Sequence, residues 1–332
     1  MLIEGLRKCA VECLGSHAIR YPLAIWHRNG RPKVMHFHWV YLNHFGGRLP
    51  LFLRAQLFLL ELNLLRALGV KFVWTLHNLQ AHEAADLRAE HRFVRAMATR
   101  MDAILVHSES ARLLATEILG DRLATKLTVI AHSNYATKYP VLPTMNESRM
   151  DLGLCASAPT LLFFGQIRRY KGVIDLMKAF ARSAPPNARL LVHGLVQSGY
   201  HDEFFASLVA DSRIEVINAN IPDAQLVTTI RACDAVVLPY REILTSGAAL
   251  MAITMGRPCI APMGGCFEEL LGHDAGILYD PNSEHGLDRA IVEACGCRET
   301  LARRAEAASR ISATYDVNPI AASLRTVYEK VL

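Results

Sequence analysis

Three stretches of this sequence set chemically useful side chains at the ends of apolar runs. In residues 161–180, LLFFGQIRRYKGVIDLMKAF, an extended run ends at Phe164 and Gly165 lets the chain turn. Arg168, Arg169 and Lys171 follow, and a helical period starts near Gly172. Cations at a strand-to-helix turn suit a phosphate or diphosphate, which would meet side-chain charge and a helix N-terminus together; a solvated basic turn is the other reading. In residues 232–271 an apolar run ends at Pro239, and a turn with Thr245, Ser246 and Gly247 opens a helix at Ala248. Small residues there leave backbone N–H groups open to an anion, with Thr245 or Ser246 as hydroxyl donors or as plain caps. The third stretch is a set of histidines in MHFHWVYLN (35–43), VWTLHNLQAHE (73–83), AILVHSES (103–110) and TVIAHSNYATKYP (128–140). His36 and His38, two apart on a strand, project to one face and could share a metal with His77 or His82; packing in a cleft or simply finishing a strand is the alternative.

The elements that must hold these groups follow from a repeated texture, a short apolar run of strand character and then a longer segment of helical period. Strands are expected at 33–38, 71–76, 103–107, 127–131, 160–165, 189–194, 213–217, 235–239 and 258–261. Such alternation implies an α/β chain of parallel, doubly wound sheets with helices on both faces. Ligands bind beyond the carboxyl ends of strands in such sheets, which is where all three stretches fall. Between 131 and 159 the pattern lapses into turn formers and prolines, giving two expected domains, 1–150 and 151–314, and a final helix at 315–332 that could pack on either. The chain starts directly in a helical pattern, so either the usual opening strand and glycine-rich loop are missing or the first unit is built differently; residues 21–26 are a strand candidate. Residues 49–70 read as a mostly buried helix, with contact to a membrane surface as the alternative, because Arg54, Gln56, Glu61, Asn63 and Arg66 interrupt them too often for a membrane span.

At 332 residues the chain exceeds one ordinary domain, since single cores stop growing near roughly 250–300 residues. With 52% hydrophobic and 20% charged residues it is no disordered chain. The 36 basic against 31 acidic residues are too even a balance to indicate nucleic acid, while leaving a basic surface for phosphates or anionic lipid. Eight cysteines without a C-x-x-C pattern read as reduced thiols of a cytosolic protein, and no secretory signal is visible. Asp102, Glu109, Asp234 and Asp274 read as caps or surface charges, and Phe163, Phe164 and Phe180 as core.

Residues 161–180 and 232–271 together resemble the C-terminal half of the large retaining glycosyltransferase family four, whose fold is GT-B, two Rossmann-like domains facing a cleft. In that family the first strand of the second domain ends in G-R-x-x-x-x-K-G, whose cations bind the donor diphosphate. Here Gly165, Lys171 and Gly172 keep the frame, Gln166 stands at the arginine position, and Arg168 is the substitute. The family's glutamate pair ahead of A-x-x-x-G-x-P falls on Ile243 and Met251, with Glu242 one place from the first. The T-S-G-A turn, Thr245 to Ala248, is similar to a variant in which backbone amides hold the phosphates. The N-terminal half resembles a subset of the same family, in which His77 matches the histidine that contacts the donor sugar; Asn78 and Glu83 share its loop, and His38 and His132 lie on the acceptor side.

The resemblance implies a hexosyltransferase using a UDP- or GDP-linked sugar and a glycan or lipid-linked acceptor of surface-polysaccharide or glycoconjugate synthesis. It also implies a cytoplasmic site with possible contact to the inner membrane face, no nucleic acid partner, and no cofactor or metal. His77, Arg168 and Lys171 would be catalytic, and Gly165, Gln166, Glu242, Thr245, Ser246, Gly247 and Ala248 would bind the donor. In a retaining reaction the departing phosphate accepts the acceptor's proton; an inverting one needs a base, for which Glu83 is the candidate. Two alternatives remain: a non-catalytic partner subunit, suggested by the missing loop and glutamates, and a metal-dependent hydrolase built on His36 and His38.

Overall fold

The computed structural model describes residues 2–15, 21–41, 50–78 and 86–332. They pack as two units, Met1–Ser133 with Val317–Leu332, and Asn134–Asp316.

The first unit is built on a parallel sheet of four strands in chain order, β1 (Val34–His38), β2 (Lys71–Thr75), β3 (Ala103–Val106) and β4 (Leu127–Val129). Val34 lies opposite Lys71 and His38 opposite Thr75. Successive right-handed crossovers that all step the same way put helices Leu51–Ala67, Leu87–Arg100 and Glu109–Leu119 on one face. Phe37 and Phe72 meet Phe58 and Phe93 there. On the other face Leu6, Ala321, Leu324 and Val327, from helices Leu2–Lys8 and Val317–Val331, cover Val73, Ala103 and Leu105. The last helix therefore belongs to the first unit, and it approaches so closely that a Cβ on Gly5 would lie 3.0 Å from Ala321 Cβ.

The second unit carries a parallel sheet of order β10-β9-β8-β5-β6-β7. Its strands are β5 (Thr160–Phe164), β6 (Arg189–His193), β7 (Ile214–Ile217), β8 (Ala235–Val237), β9 (Cys259–Pro262) and β10 (Gly276–Tyr279). Every residue of β5 is buried, as a strand covered on both faces must be. From β5 the chain winds outward through β6 and β7, then returns to the other side of β5 as β8 and continues to β9 and β10. The direction of winding reverses between β5 and β8.

Four expectations change. Residues 21–26 lie in a helix, Pro22–Arg28, because Pro22 sits in the first turn, where its fixed φ favours a helix and its missing N–H leaves no bond unmade. β10 is a strand absent from the expected set. The unit boundary falls at 133 rather than 150, since residues 134–158 are tied to the second sheet. There the buried Arg149 pairs with Asp234 at 2.7 Å and donates to the Ala232 and Ala156 carbonyls. Helix Leu51–Ala67 is buried along one side only, with Leu57, Leu60 and Leu64 about half exposed. Among the described residues no helix is long and apolar enough to cross a membrane, and all eight cysteines are free.

Candidate functional site

In the second unit the crevice where winding reverses is walled by two turns. Leaving β5, the chain passes Gly165 and reaches a 3-10 turn, Arg169–Lys171, closed by Gly172. Gly172 has φ +63, and a Cβ on it would lie 2.2 Å from the Pro239 carbonyl oxygen, so only glycine lets this turn settle against the β8 loop. Arg241 N–H donates to the Tyr170 carbonyl across the same seam at 2.8 Å. On the far side Ser246 caps helix Gly247–Thr254 by accepting the Ala249 N–H at 3.1 Å, which leaves the first-turn amides of Gly247 and Ala248 without partners inside the helix. A Cβ on Gly247 would stand 3.1 Å from the Tyr135 hydroxyl.

The cations of these turns are not equivalent. Arg169 pairs with Glu203 and Arg241 with Asp175. Arg168 donates Nε and Nη2 to the amide oxygen of Gln166 at 3.0 and 2.6 Å, a neutral partner that leaves its charge intact. Lys171 Nζ lies 5.8 Å from the Phe163 ring centre and 5.2 Å from that of Tyr240. Burial, and then the Arg168 charge, lower its pKa from 10.5 to about 8. Among the described residues neither Lys171 nor Arg168 has a carboxylate partner. An open cavity of about 590 Å³ adjoins the crevice, lined by Gln166, Gln197, Ser198, His201 and Asn218.

Gly165, Gln166, Arg168 and Lys171 thus follow β5, and Thr245, Ser246, Gly247 and Ala248 follow β8, beyond the carboxyl ends of adjacent strands. Glu242 is exposed on that loop. Met251 is buried in the core and Ile243 packs partly against it, so the positions matching the family's glutamates hold apolar side chains that serve packing. Sequence reasoning passed over Tyr240 and took Phe163 only as core; the aromatic in the PYR loop was the available signal.

In the first unit the histidines form a row across the carboxyl ends of all four strands. His36 is hydrogen-bonded to Tyr328 at 2.7 Å and to Thr75 at 2.8 Å. His38 Nδ1 and His77 Nε2 share a hydrogen bond of 3.0 Å. The His77 and His107 rings are 5.1 Å apart, and those of His107 and His132 5.3 Å. His107 Nδ1 donates to the Ile130 carbonyl and His132 Nδ1 to that of Ser133, which fixes both tautomers. Burial first, then the neighbouring imidazoles, push His77 down to about 2, and burial takes His38 and His107 to about 4. The row is neutral near pH 7.

Asn78 is half-buried beside His77; Glu83 and His82 lie outside the described residues. In this arrangement both His36 ring nitrogens are engaged, with Tyr328 and Thr75, and His82, the other nominated partner, is not among the described residues. Among the described residues no three His, Cys, Asp or Glu side chains are grouped to hold an ion. Trp39, not singled out from the sequence, stacks on His77 at 4.1 Å with the rings 1° from parallel and adopts φ +54. Its place after the H-x-H was the signal.

The fold is that of the GT-B glycosyltransferases. A sucrose-phosphate synthase from Thermosynechococcus elongatus superposes with a TM-score of 0.75 at 17% identity, covering 92% of this chain and 75% of that one. Anabaena HepE in complex with UDP gives 0.75 at 18%, covering 94% and 82%. Residues 158–296, which lie within the second unit, match the family described as Glycosyl transferases group 1. A GDP-mannose:glycolipid 4-beta-D-mannosyltransferase from Xanthomonas campestris pv. campestris is 29% identical over 234 residues, 70% of this chain. The match spans 62% of that relative's length.

Proposed function

We propose that this chain is a nucleotide-sugar-dependent glycosyltransferase that moves a hexose from a UDP- or GDP-linked donor to a glycan or lipid-linked acceptor. The acceptor belongs to surface-polysaccharide or glycoconjugate synthesis at the cytoplasmic face of a membrane. One observation carries the reading: Lys171 and Arg168, neither offset by a described carboxylate, follow β5, while Gly247 and Ala248, whose first-turn amides have no partner inside their helix, follow the adjacent strand β8. As the bond from the anomeric carbon to the diphosphate breaks, negative charge grows on the leaving oxygens. These four groups stabilise it, and one preorganised contact of this kind is worth roughly 3–4 kcal/mol. The cavity beside Gln166 takes the base and ribose. Neutral His77, held by His38 and Trp39, orients the sugar by hydrogen bonding.

The reading takes the reaction as retaining and free of a metal cofactor, the departing phosphate accepting the acceptor's proton. The Xanthomonas relative is named for a 4-beta-D-mannosyl transfer from GDP-mannose. A β product from an α-linked donor would be inverting and would need a protein base, for which Glu83 is the nominee. The anomeric configuration of the product is therefore the measurement that divides the two courses. The donor itself is tested by a panel of UDP- and GDP-sugars read by thermal shift and by sugar transfer, with Lys171→Ala as control. We expect one donor class to raise the melting temperature and support transfer, and Lys171→Ala to lower turnover at least tenfold in a folded protein. Absence of nucleotide binding at millimolar concentration would favour the partner-subunit alternative, for which the apolar Ile243 and Met251 speak.

A further inference from the structure

Helix Leu51–Ala67 has two apolar faces. Ala55, Phe58, Leu59, Leu62 and Leu65 are buried in the first unit. Leu53, Leu57, Leu60 and Leu64, with Leu68 just past the helix, are 47%, 50%, 53%, 49% and 62% exposed. At 3.6 residues per turn the exposed set falls in one stripe about 80° wide, opposite the buried set. Single exposed leucines are ordinary, but an unbroken row of five is the kind of patch that marks an interaction site.

The helix beside it on the same face of the sheet, Leu87–Arg100, supplies the charge. Arg88, Arg92 and Arg95 recur on its exposed side with helical spacing. Its one acid, Glu90, is buried, and the N-cap Asp86 accepts the Ala89 N–H. An apolar row thus runs next to a basic row on one outer layer.

We propose that this layer rests on an anionic lipid surface, with the leucine row among the outer acyl carbons and the arginine row toward the lipid phosphates. Adjacent apolar and basic rows match a bilayer interface, where hydrocarbon and phosphate lie at neighbouring depths. A two-fold pairing of copies requires a self-complementary patch, and a border of one charge sign does not supply it. The helix lies on the membrane rather than through it, since Arg54, Glu61, Asn63 and Arg66 break its length.

This deepens the membrane-face part of the proposed function and rests on that reading for its biological meaning. The assay reads lipid attachment without turnover, so the two fail separately. The full chain is floated with vesicles of equal phosphatidylcholine and phosphatidylglycerol, and with phosphatidylcholine alone. We expect partition to be at least tenfold stronger on the anionic vesicles. Leu57→Ser/Leu60→Ser/Leu64→Ser should weaken it at least tenfold with an unchanged circular dichroism spectrum, and Arg88→Gln/Arg92→Gln should remove most of the preference for phosphatidylglycerol. The proposal is overturned if the wild type floats with neither vesicle or if the leucine variant floats equally. It is equally overturned if light scattering finds a dimer that the leucine variant turns into monomer while lipid binding is absent in both.

Discussion

Replacing Lys171 by methionine separates what the lysine does for a ligand from what it does to the fold. Burial first and Arg168 second take the ammonium from 10.5 down to about 8, a bias against the charged form of roughly 3 kcal/mol at 1.36 kcal/mol per pKa unit. Between pH 8 and 10.5 the unfolded chain holds a proton that the folded chain has released. Stability therefore rises with pH across that window, and at pH 7 the folded protein carries the whole penalty. Methionine keeps the length of the side chain and its packing between the Phe163 and Tyr240 rings but carries no charge. Loss of the cation–π attraction offsets about 1–2 kcal/mol of the relief. The net expectation at pH 7 is a gain of about 1–2 kcal/mol, or several degrees in melting temperature at about 2–4 °C per kcal/mol. That gain should disappear above pH 10.5, where the wild-type lysine is neutral in both states. The same substitution should abolish the rise in melting temperature that UDP or GDP gives the wild type. Differential scanning fluorimetry at pH 7 and pH 10.5, with and without each nucleotide, reads all of this. A variant that melts below the wild type at pH 7, or that keeps the full nucleotide response, would refute the argument.

Acid should destabilise the first unit through its imidazoles. His38 and His107 are held near 4 and His77 near 2, while an unfolded histidine titrates near 6.5, so stability is intact above pH 6.5 and falls as pH drops toward 4. All three tryptophans, Trp26, Trp39 and Trp74, lie in that unit, and their fluorescence in urea titrations at pH 7 and pH 4.5 should give a lower midpoint at the acid pH; equal midpoints would count against the buried neutral row. Gly172→Ala should cost about 2 kcal/mol or more by urea unfolding, because it combines φ +63 with a clash at the Pro239 carbonyl. Gly199→Ala, where a Cβ meets nothing within 4 Å, should be nearly neutral, and equal losses at the two sites would contradict the close-approach argument.

What the sequence made legible is what local physics determines. The inner strands stand out as apolar runs because a parallel strand covered on both faces needs no polar alternation, and β3 and β5 are buried throughout. The turn at Gly165 to Gly172 and the cap at Ser246 are equally local. Residues 21–26 misled because a short apolar run fits a strand or a helix, and only the position of Pro22 decides. The boundary near 133 could not be read, since it depends on Arg149 meeting Asp234, 85 positions away. The histidines were visible singly, but their alignment depends on the register of four strands, which brings His38 beside His77 and His107 beside His132.

The departure at Gln166 gains a physical sense from the charges around it. Of the four cations at the crevice, Arg169 and Arg241 are each offset by a carboxylate. Gln166 holds Arg168 through two hydrogen bonds to a neutral amide oxygen, which orients the guanidinium without cancelling it. A second arginine at 166 would repel Arg168 and depress Lys171 further; glutamine keeps the geometry and leaves two positive charges near one another. Burial, and then this mutual repulsion, is why Lys171 titrates low, and a bound anion would relieve the repulsion and meet the N-terminal dipole of the helix at Gly247 and Ala248. With Ile243 and Met251 apolar, no carboxylate at those positions competes for the cations. Two cations therefore stand without an offsetting carboxylate among the described residues, as the proposed binding of a donor diphosphate requires.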